Sequence, residues 1–444
     1  MTSTLTHRDA EPAAPIRLLS YVLDYDDLKQ KKGDAFDYVQ LGDELSIERA
    51  DGRPGGWSDD ERKLRLADGW LSLPHARIVK KREFDLLYDA DSKNGTFVNG
   101  RLVREHILTD SDLIEVGHSL LCYRVVDPRL AKALADTDRS FGPTRTLSPE
   151  VAMLLHNLRI LATSGRPVLL MGETGTGKEL AAKLLHEWSG RQGPYVTVDC
   201  GAVPDSLFEA RFFGYVRGAF TGATSAQQGE ICRADRGTLF LDEIGNLSEA
   251  AQAKLLRVMQ DGCVTPLGTT RGQQVNVRWL AATNAALHDG CSAFRRDLLR
   301  RLGTVQHLPP LRQRREDLGS LCAYFLSTES AMKERSKVSI TLEAGRRLFS
   351  DALPGNLRQL REVLLSAALL AVDEPIADRH LLSADPSLAT PEPLPEPPIG
   401  RNGRPSSEAL EEALCMAGGN KTKAAHLLGT SVRQLYRWLK RPST

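Results

Sequence analysis

GETGTGKE, Gly172–Glu179, is the stretch on which the fold turns. It follows the apolar run PVLLMG, which reads as a buried strand, and opens ELAAKLLHEW, which reads as a helix. In a strand–loop–helix unit of this kind, small residues let successive backbone N–H groups turn toward one point. The helix N-terminus favours negative charge there, and Lys178 can reach the β- and γ-phosphates of a nucleotide. Gly172, Glu173, Thr174, Gly175, Thr176, Gly177, Lys178 and Glu179 are therefore expected to bind nucleoside triphosphate. The generic pattern ends in Ser or Thr, whose hydroxyl ligates magnesium, and Glu179 stands in that place.

A second apolar strand, GTLFLDEI (Gly237–Ile244), ends in two acids about 64 residues after Lys178. Asp242 is expected to hold Mg2+, directly or through water, and Glu243 to polarise the attacking water. Further buried runs such as VRWLAATN alternate with helical stretches such as AQAKLLRVMQD, so residues 141–382 predict an α/β domain with a largely parallel sheet. Residues 17–127 carry short alternating runs, REFDLLYDA, GTFVNG and SLLCYRVV, between turn signals, and predict an all-β domain. A proline-rich linker over 383–406 leads to three short predicted helices in 407–444. No internal repeat is visible.

The charges nearly cancel, at 58 basic against 57 acidic residues, so any nucleic-acid surface has to be local. One such surface exists: no Asp or Glu follows Ala413, while Lys421, Lys423, Arg433, Arg437, Lys440 and Arg441 do. The seven cysteines show neither zinc spacing nor a disulfide framework, which predicts reduced thiols. The N-terminus lacks an apolar signal core and no apolar run reaches about 18 residues, so a cytoplasmic protein without a membrane partner is expected.

The ordered motifs of residues 141–382 resemble the AAA+ ATPase domain of bacterial enhancer-binding proteins, the activators of sigma-54 RNA polymerase. In that family the loop normally reads GE[ST]GTGKE, so the resemblance accounts for Glu179. It implies further roles. FRRDLLRRL resembles the segment that carries arginine fingers, which places Arg295 and Arg301 at the nucleotide of a neighbouring subunit. Thr283 or Asn284 in ATN corresponds to the first sensor. Arg358 in LPGNLRQLRE corresponds to the second sensor, on a helical lid, with Leu353 where the family usually has tryptophan. Asp199 stands where relatives often carry an asparagine that restrains the catalytic glutamate.

GAFTGA, Gly218–Ala223, matches the family's signature letter for letter. The resemblance makes Gly218, Ala219, Phe220, Thr221, Gly222 and Ala223 the tip of a loop that touches sigma-54. The chemistry agrees, since glycines permit a tight tip, Phe220 offers an apolar face and Thr221 a hydroxyl. The flank departs from relatives at Arg211, Phe212 and Tyr215.

AGGNKTKAAHLLGTSVRQLYRWLKR, Ala417–Arg441, resembles the Fis-type helix-turn-helix. Asn420 suits a helix cap, Gly429 the turn, and Ser431 with Gln434 a capping box. Val432, Leu435, Trp438 and Leu439 would face the core, and Arg433, Arg437 and Lys440 the other side of the recognition helix. Lys421, Arg433, Gln434, Arg437 and Lys440 are the expected DNA contacts.

Residues 17–127 resemble a forkhead-associated domain, a β-sandwich that binds phosphothreonine. IER, SLPH and KNGTFVNG occur in order, and the resemblance assigns Arg49, Ser72 and Asn94 to the phosphothreonine. His75 and Asn99 would support the loops. Glu48 replaces the usual glycine before Arg49, and a carboxylate there is expected to repel the ligand.

Together the resemblances imply a phosphorylation-responsive activator. It would bind enhancer DNA, assemble into a homo-oligomeric ring, hexameric in the family, and use ATP with Mg2+ to remodel sigma-54 holoenzyme. The phosphothreonine would lie on a partner or on the protein itself. Two alternatives are a remodelling ATPase with another client, which intact GAFTGA argues against, and a DNA-bound phosphopeptide scaffold, which the complete catalytic set disfavours.

Overall fold

The structure is a computed structural model, and it describes residues 14–389 except 30–36, 51–55, 59–61, 83, 138–141, 285–293, 333–334, 336 and 351–352. The expected helix-turn-helix, with Lys421, Arg433, Gln434, Arg437 and Lys440, lies outside the described residues, as does the linker beyond Ala389.

The N-terminal strands form a sandwich of two six-stranded sheets. Strand Lys63–Leu66 shows the reason, since Leu64 and Leu66 are buried and the alternate residues only partly so. Leu19, Ile47, Leu64, Leu87, Ile114 and Leu121 meet between the sheets as one apolar core. A short helix, Pro128–Ala135, capped by the Asp127 side chain, leads out of the sandwich.

Five parallel strands follow, in the spatial order Tyr195–Asp199, Thr238–Asp242, Arg278–Thr283, Val168–Met171, Thr304–His307. Val168–Met171 is buried throughout, as a central strand covered on both faces has to be. Arg278 is 1% exposed on such a strand. It is tolerated there because its guanidinium donates to the Leu161 and Ala162 carbonyls at the C-terminal end of helix Pro149–Ser164. Helices Leu318–Thr328, Leu342–Ser350, Asn356–Leu370 and Asp378–Ala384 form a lid.

Residues up to Pro386 make one compact unit. The sandwich and the α/β core share an apolar cluster of Leu18, Val126, Ala133, Leu134 and Ala152. Cys122, Cys200, Cys232, Cys263 and Cys322 are free thiols. No helix among the described residues is long and apolar enough to cross a membrane.

Candidate functional site

Parallel strands bring their C-terminal ends to one edge of a sheet, and here Met171, Asp242 and Thr283 end side by side. The loop from Gly172 to Gly177 leaves the first of these ends and enters helix Lys178–Glu187. Gly175 and Gly177 sit at φ +79° and +102°, a region that favours glycine. Thr176 Oγ1 ties the loop to the Glu173 carbonyl at 2.8 Å, and Lys178 Nζ donates to the carbonyls of Gly172 (3.0 Å) and Glu173 (3.3 Å). Glu179 is exposed on the first helical turn.

The acidic strand end faces this loop. Glu243 Oε1 lies 3.6 Å from Lys178 Nζ, and its Oε2 accepts from Asn284 N at 3.2 Å. Asn284 Nδ2 in turn donates to Thr174 Oγ1 at 3.2 Å, so the expected first sensor touches the phosphate loop directly. Glu243 holds φ +49°, a strained conformation for a residue with a side chain. Asp242 lies in register with Asp199 on the neighbouring strand. Burial, then the nearby Glu243 and Asp199 carboxylates, raise the Asp242 pKa. Crowded carboxylates of this kind suit a divalent cation, which would relieve their repulsion. Among the described residues no group of three or more His, Cys, Asp or Glu could hold a metal by itself.

The lid closes on the loop from the other side. A Cβ placed on Gly175 would lie 2.2 Å from Gly355 O and 3.3 Å from Arg358 Cβ, so the second-sensor helix abuts the phosphate loop. Leu357 N donates to Gly175 O at 3.0 Å. The residue that fastens this contact is Asn356, which the sequence reading passed over. Fully buried at φ +53°, it donates to Thr174 O (3.0 Å) and Glu173 Oε2 (3.2 Å) while its own oxygen accepts from Leu311 N (2.7 Å). Its signal in the sequence is the Pro-Gly-Asn turn ahead of a helix, where Asn tolerates a left-handed backbone. Arg312 forms a two-pronged pair with Glu173 at 2.6 and 2.8 Å, and Arg314 donates to Thr176 O at 2.9 Å. The pairing with Arg312 and Asn356 pulls the Glu173 pKa down to about 2.

The arginines expected to act as fingers turn elsewhere. Arg295 is exposed and pairs with Asp297 at 2.9 Å, and Arg301 donates to Met259 O at 3.0 Å. Asp199 does not engage Glu243; its Oδ1 accepts from Gly201 N at 2.9 Å.

Gly218–Ala223 forms a small closed turn, with Gly218 N donating to Ala223 O at 2.9 Å and Ala223 N to Phe220 O at 3.0 Å. Ala223 is buried, but Phe220 remains 46% exposed and meets the Tyr215 ring edge-on at 4.9 Å. Tyr215, one of the departures in the flank, thus props the exposed aromatic.

In the sandwich, Arg49 N donates to Ser72 O (3.1 Å) and Asn94 Nδ2 to Trp70 O (2.7 Å), which draws the three expected phosphothreonine residues around one loop. His75 Nδ1 accepts from Ser72 N at 3.0 Å, leaving Nε2–H to donate to Gly95 O at 3.2 Å, and burial lowers its pKa. The expectation for Glu48 needs correction. Adjacent strand residues face opposite sides, and Glu48 is buried against Arg65 (3.1 Å) and Lys63 (3.7 Å), so its charge is neutralised away from the ligand loop.

Comparison with known proteins joins these pieces. Residues 145–307 match the sigma-54 interaction domain, 312–391 an AAA+ ATPase lid domain, 52–117 the FHA domain, and 406–441 a bacterial regulatory protein domain of the Fis family. The chain is 39% identical over 331 residues to the transcriptional regulatory protein ZraR of Klebsiella oxytoca, covering 70% of this chain and 74% of that protein. It is 42% identical over 310 residues to the anaerobic nitric oxide reductase transcription regulator NorR of Escherichia coli K12, covering 66% of this chain and 62% of that one. Among solved structures, NtrX from Brucella abortus in complex with ATP matches with a TM-score of 0.50 at 28% identity, over 70% of this chain and 72% of that one.

Proposed function

The chain belongs to the sigma-54-dependent transcriptional regulators, and on that premise we propose that it hydrolyses ATP to remodel sigma-54 polymerase at promoters. The observation that carries this reading is Glu243 lying 3.6 Å from Lys178 and 3.2 Å from Asn284 N, in the same domain that exposes Phe220. Lys178 and the loop amides of Gly172–Glu179 hold the phosphates, with Asn284 and Arg358 sensing the nucleotide from core and lid. Asp242 would carry Mg2+, which neutralises phosphate charge when bound. Glu243 orients the attacking water and takes its proton. Arg295 and Arg301, directed away from their own loop, serve the neighbouring subunit in a ring, hexameric as in the family. An arginine supplied this way contributes about 10³–10⁵ in rate.

Gly218, Ala219, Phe220, Thr221, Gly222 and Ala223 present the surface that meets sigma-54. The C-terminal helices, through Lys421, Arg433, Gln434, Arg437 and Lys440, hold the protein on enhancer DNA, with affinity that falls steeply with salt. The protein works in the cytoplasm. Arg49, Ser72 and Asn94 capture a phosphothreonine on a partner or on the protein itself, and this governs activity. What supports control from that loop is contact: Trp70 stacks on His118 at 4.6 Å, His118 O accepts from Tyr25 N, and Tyr25 O accepts from Ile340 N of the lid.

The test is promoter opening by sigma-54 polymerase with the full chain and ATP, beside its Thr221→Ala form. A parent that opens DNA, with a variant that hydrolyses ATP but does not, upholds the reading. Brisk hydrolysis by the parent without opening would redirect it to another client. For the phosphothreonine pocket, peptide binding that survives Arg49→Ala would remove the assignment.

A further inference from the structure

Three large apolar side chains stand in solvent around the residues assigned to phosphothreonine: Trp70 (53% exposed), Leu73 (52%) and Leu102 (67%). Scattered apolar residues on a surface are ordinary, so what matters is how these are held. Trp70 and Leu73 flank Leu71 and Ser72 in the loop between strands Lys63–Leu66 and Ala76–Lys80. Leu71 is buried in the sandwich core and pins the loop there. The Trp70 carbonyl accepts from Asn94 Nδ2 at 2.7 Å, the Ser72 carbonyl from Arg49 N at 3.1 Å, and Ser72 Oγ from Lys93 N at 3.0 Å. Leu102 reaches the same surface from strand Arg101–Val103. A Cβ on Gly95, the neighbour of Asn94, would lie 2.5 Å from its Cδ1.

The indole is fixed in place. Asp68, 6% exposed, accepts from Trp70 N (2.8 Å), His118 N (2.7 Å) and Ser119 Oγ (3.0 Å). One buried carboxylate thus ties the loop to the turn at Gly117, where φ is +57° and a Cβ would lie 2.7 Å from Asp68 Oδ2. The Trp70 ring stacks on His118 at 4.6 Å and 15°, and His118 Nδ1 lies 2.8 Å from Asp26 Oδ1. A ring already held on one face loses little freedom when a ligand covers the other. That property makes tryptophan an effective anchor at interfaces.

An extended ligand advances about 3.3 Å per residue, and Trp70 is two residues from Ser72, so a ligand that reaches Arg49, Ser72 and Asn94 passes beside these side chains. We infer that Trp70, Leu73 and Leu102 make the pocket selective for a segment of a partner protein in which large apolar residues lie within about three positions of the phosphothreonine. The chain's own N-terminal threonines fit poorly, because Met1 and Leu5 are the only large apolar side chains in residues 1–13. The inference rests on the phosphothreonine reading given above.

The test measures peptide binding to the full chain by fluorescence anisotropy. Labelled phosphothreonine peptides on an alanine–glycine background carry either leucine or serine at the flanking positions, each beside its unphosphorylated form. We expect the leucine peptides to bind about tenfold more tightly than the serine ones, the effect of burying one aliphatic side chain. Trp70→Ala should abolish the difference by weakening the leucine peptides alone, and unchanged binding of the serine phosphopeptides would show that the pocket still folds. Trp70→Phe, which keeps a ring on His118, should restore most of the difference. Equal affinity of the parent for leucine and serine phosphopeptides overturns the selectivity and leaves the phosphothreonine reading standing. A preference that survives Trp70→Ala does the same, as does loss of both phosphopeptides in that variant, which would make Trp70 a prop of the pocket. Tighter binding of residues 1–13 phosphorylated at Thr4 or Thr6 would assign the pocket to a second copy of this chain and overturn the partner. Binding indifferent to phosphate, or no binding, overturns the phosphothreonine reading and the selectivity together.

Discussion

In the phosphate loop, a Cβ on Gly175 would lie 2.2 Å from a lid carbonyl and one on Gly172 2.9 Å from Leu308 O; in the Gly218–Ala223 tip, nothing lies within 4 Å of a Cβ on Gly218 or Gly222. Both loops are punctuated by glycines at positive φ, +79° and +102° in the first, +81° and +100° in the second. The first uses glycine for close approach as well as conformation, the second for conformation alone. A loop packed between core and lid has its shape set by its neighbours and serves one ligand. A tip with open space around it can change shape at little cost.

The largest effect that would break this contrast lies in the phosphate loop's partners. Glu243→Gln and Lys178→Ala should each lower ATP turnover by about 10²–10⁴, the range for loss of a positioned proton acceptor or charge stabiliser. Turnover within tenfold of the parent in a steady-state assay would remove these residues from the chemistry. Next comes Asn356→Ala, which strands Leu311 N and the Thr174 carbonyl in a buried site. It should cost about 1–3 kcal/mol in urea unfolding and weaken ATP binding, since the lid loses its fastening to the loop.

Smaller effects sharpen the comparison between glycines. Gly222→Ala should cost only about 1 kcal/mol of stability, from its backbone angle, because its Cβ meets no neighbour. Gly175→Ala adds a backbone clash to the same angle and should cost more, with reduced ATP affinity. Equal losses in urea melts would mean that neighbour contact does not distinguish the loops. Smallest is a pH effect in the sandwich. Burial depresses the His75 pKa, so the neutral ring is the folded form and its contribution holds above about pH 6.5. That contribution is lost as pH falls through the lower folded-state value, because protonating Nδ1 displaces the Ser72 N–H. The urea midpoint should drop between pH 7 and 5, and drop less in His75→Gln; identical pH slopes would exclude His75 as the cause.

Much of the nucleotide site could be read in the sequence because its pieces are local. A strand, a glycine loop and a helix are contiguous in Val168–Glu187, and the acids of Thr238–Glu243 end their own strand. The GAFTGA turn is likewise closed by hydrogen bonds among neighbours. Glu48 differs from the expectation because neighbours along a strand face opposite sides, and its partners Arg65 and Lys63 come from a strand paired in parallel, 15 or more residues away. Asn356 stayed hidden because its partners, Glu173 and Thr174, are more than 180 residues distant.

The sequence by itself determined the elements, the motif residues and the chemistry each could support, since these follow from short-range spacing, backbone angles and side-chain type. Only the tertiary structure decided that Glu243 rests between Lys178 and Asn284, that the lid is pinned by Asn356, and that the sandwich and ATPase form one unit. The physical reason is the same in each case. Gly319, Gly345, Glu115, Arg124 and Glu316 look like ordinary helix and strand residues until burial brings distant ones together, and desolvation then makes each partner matter.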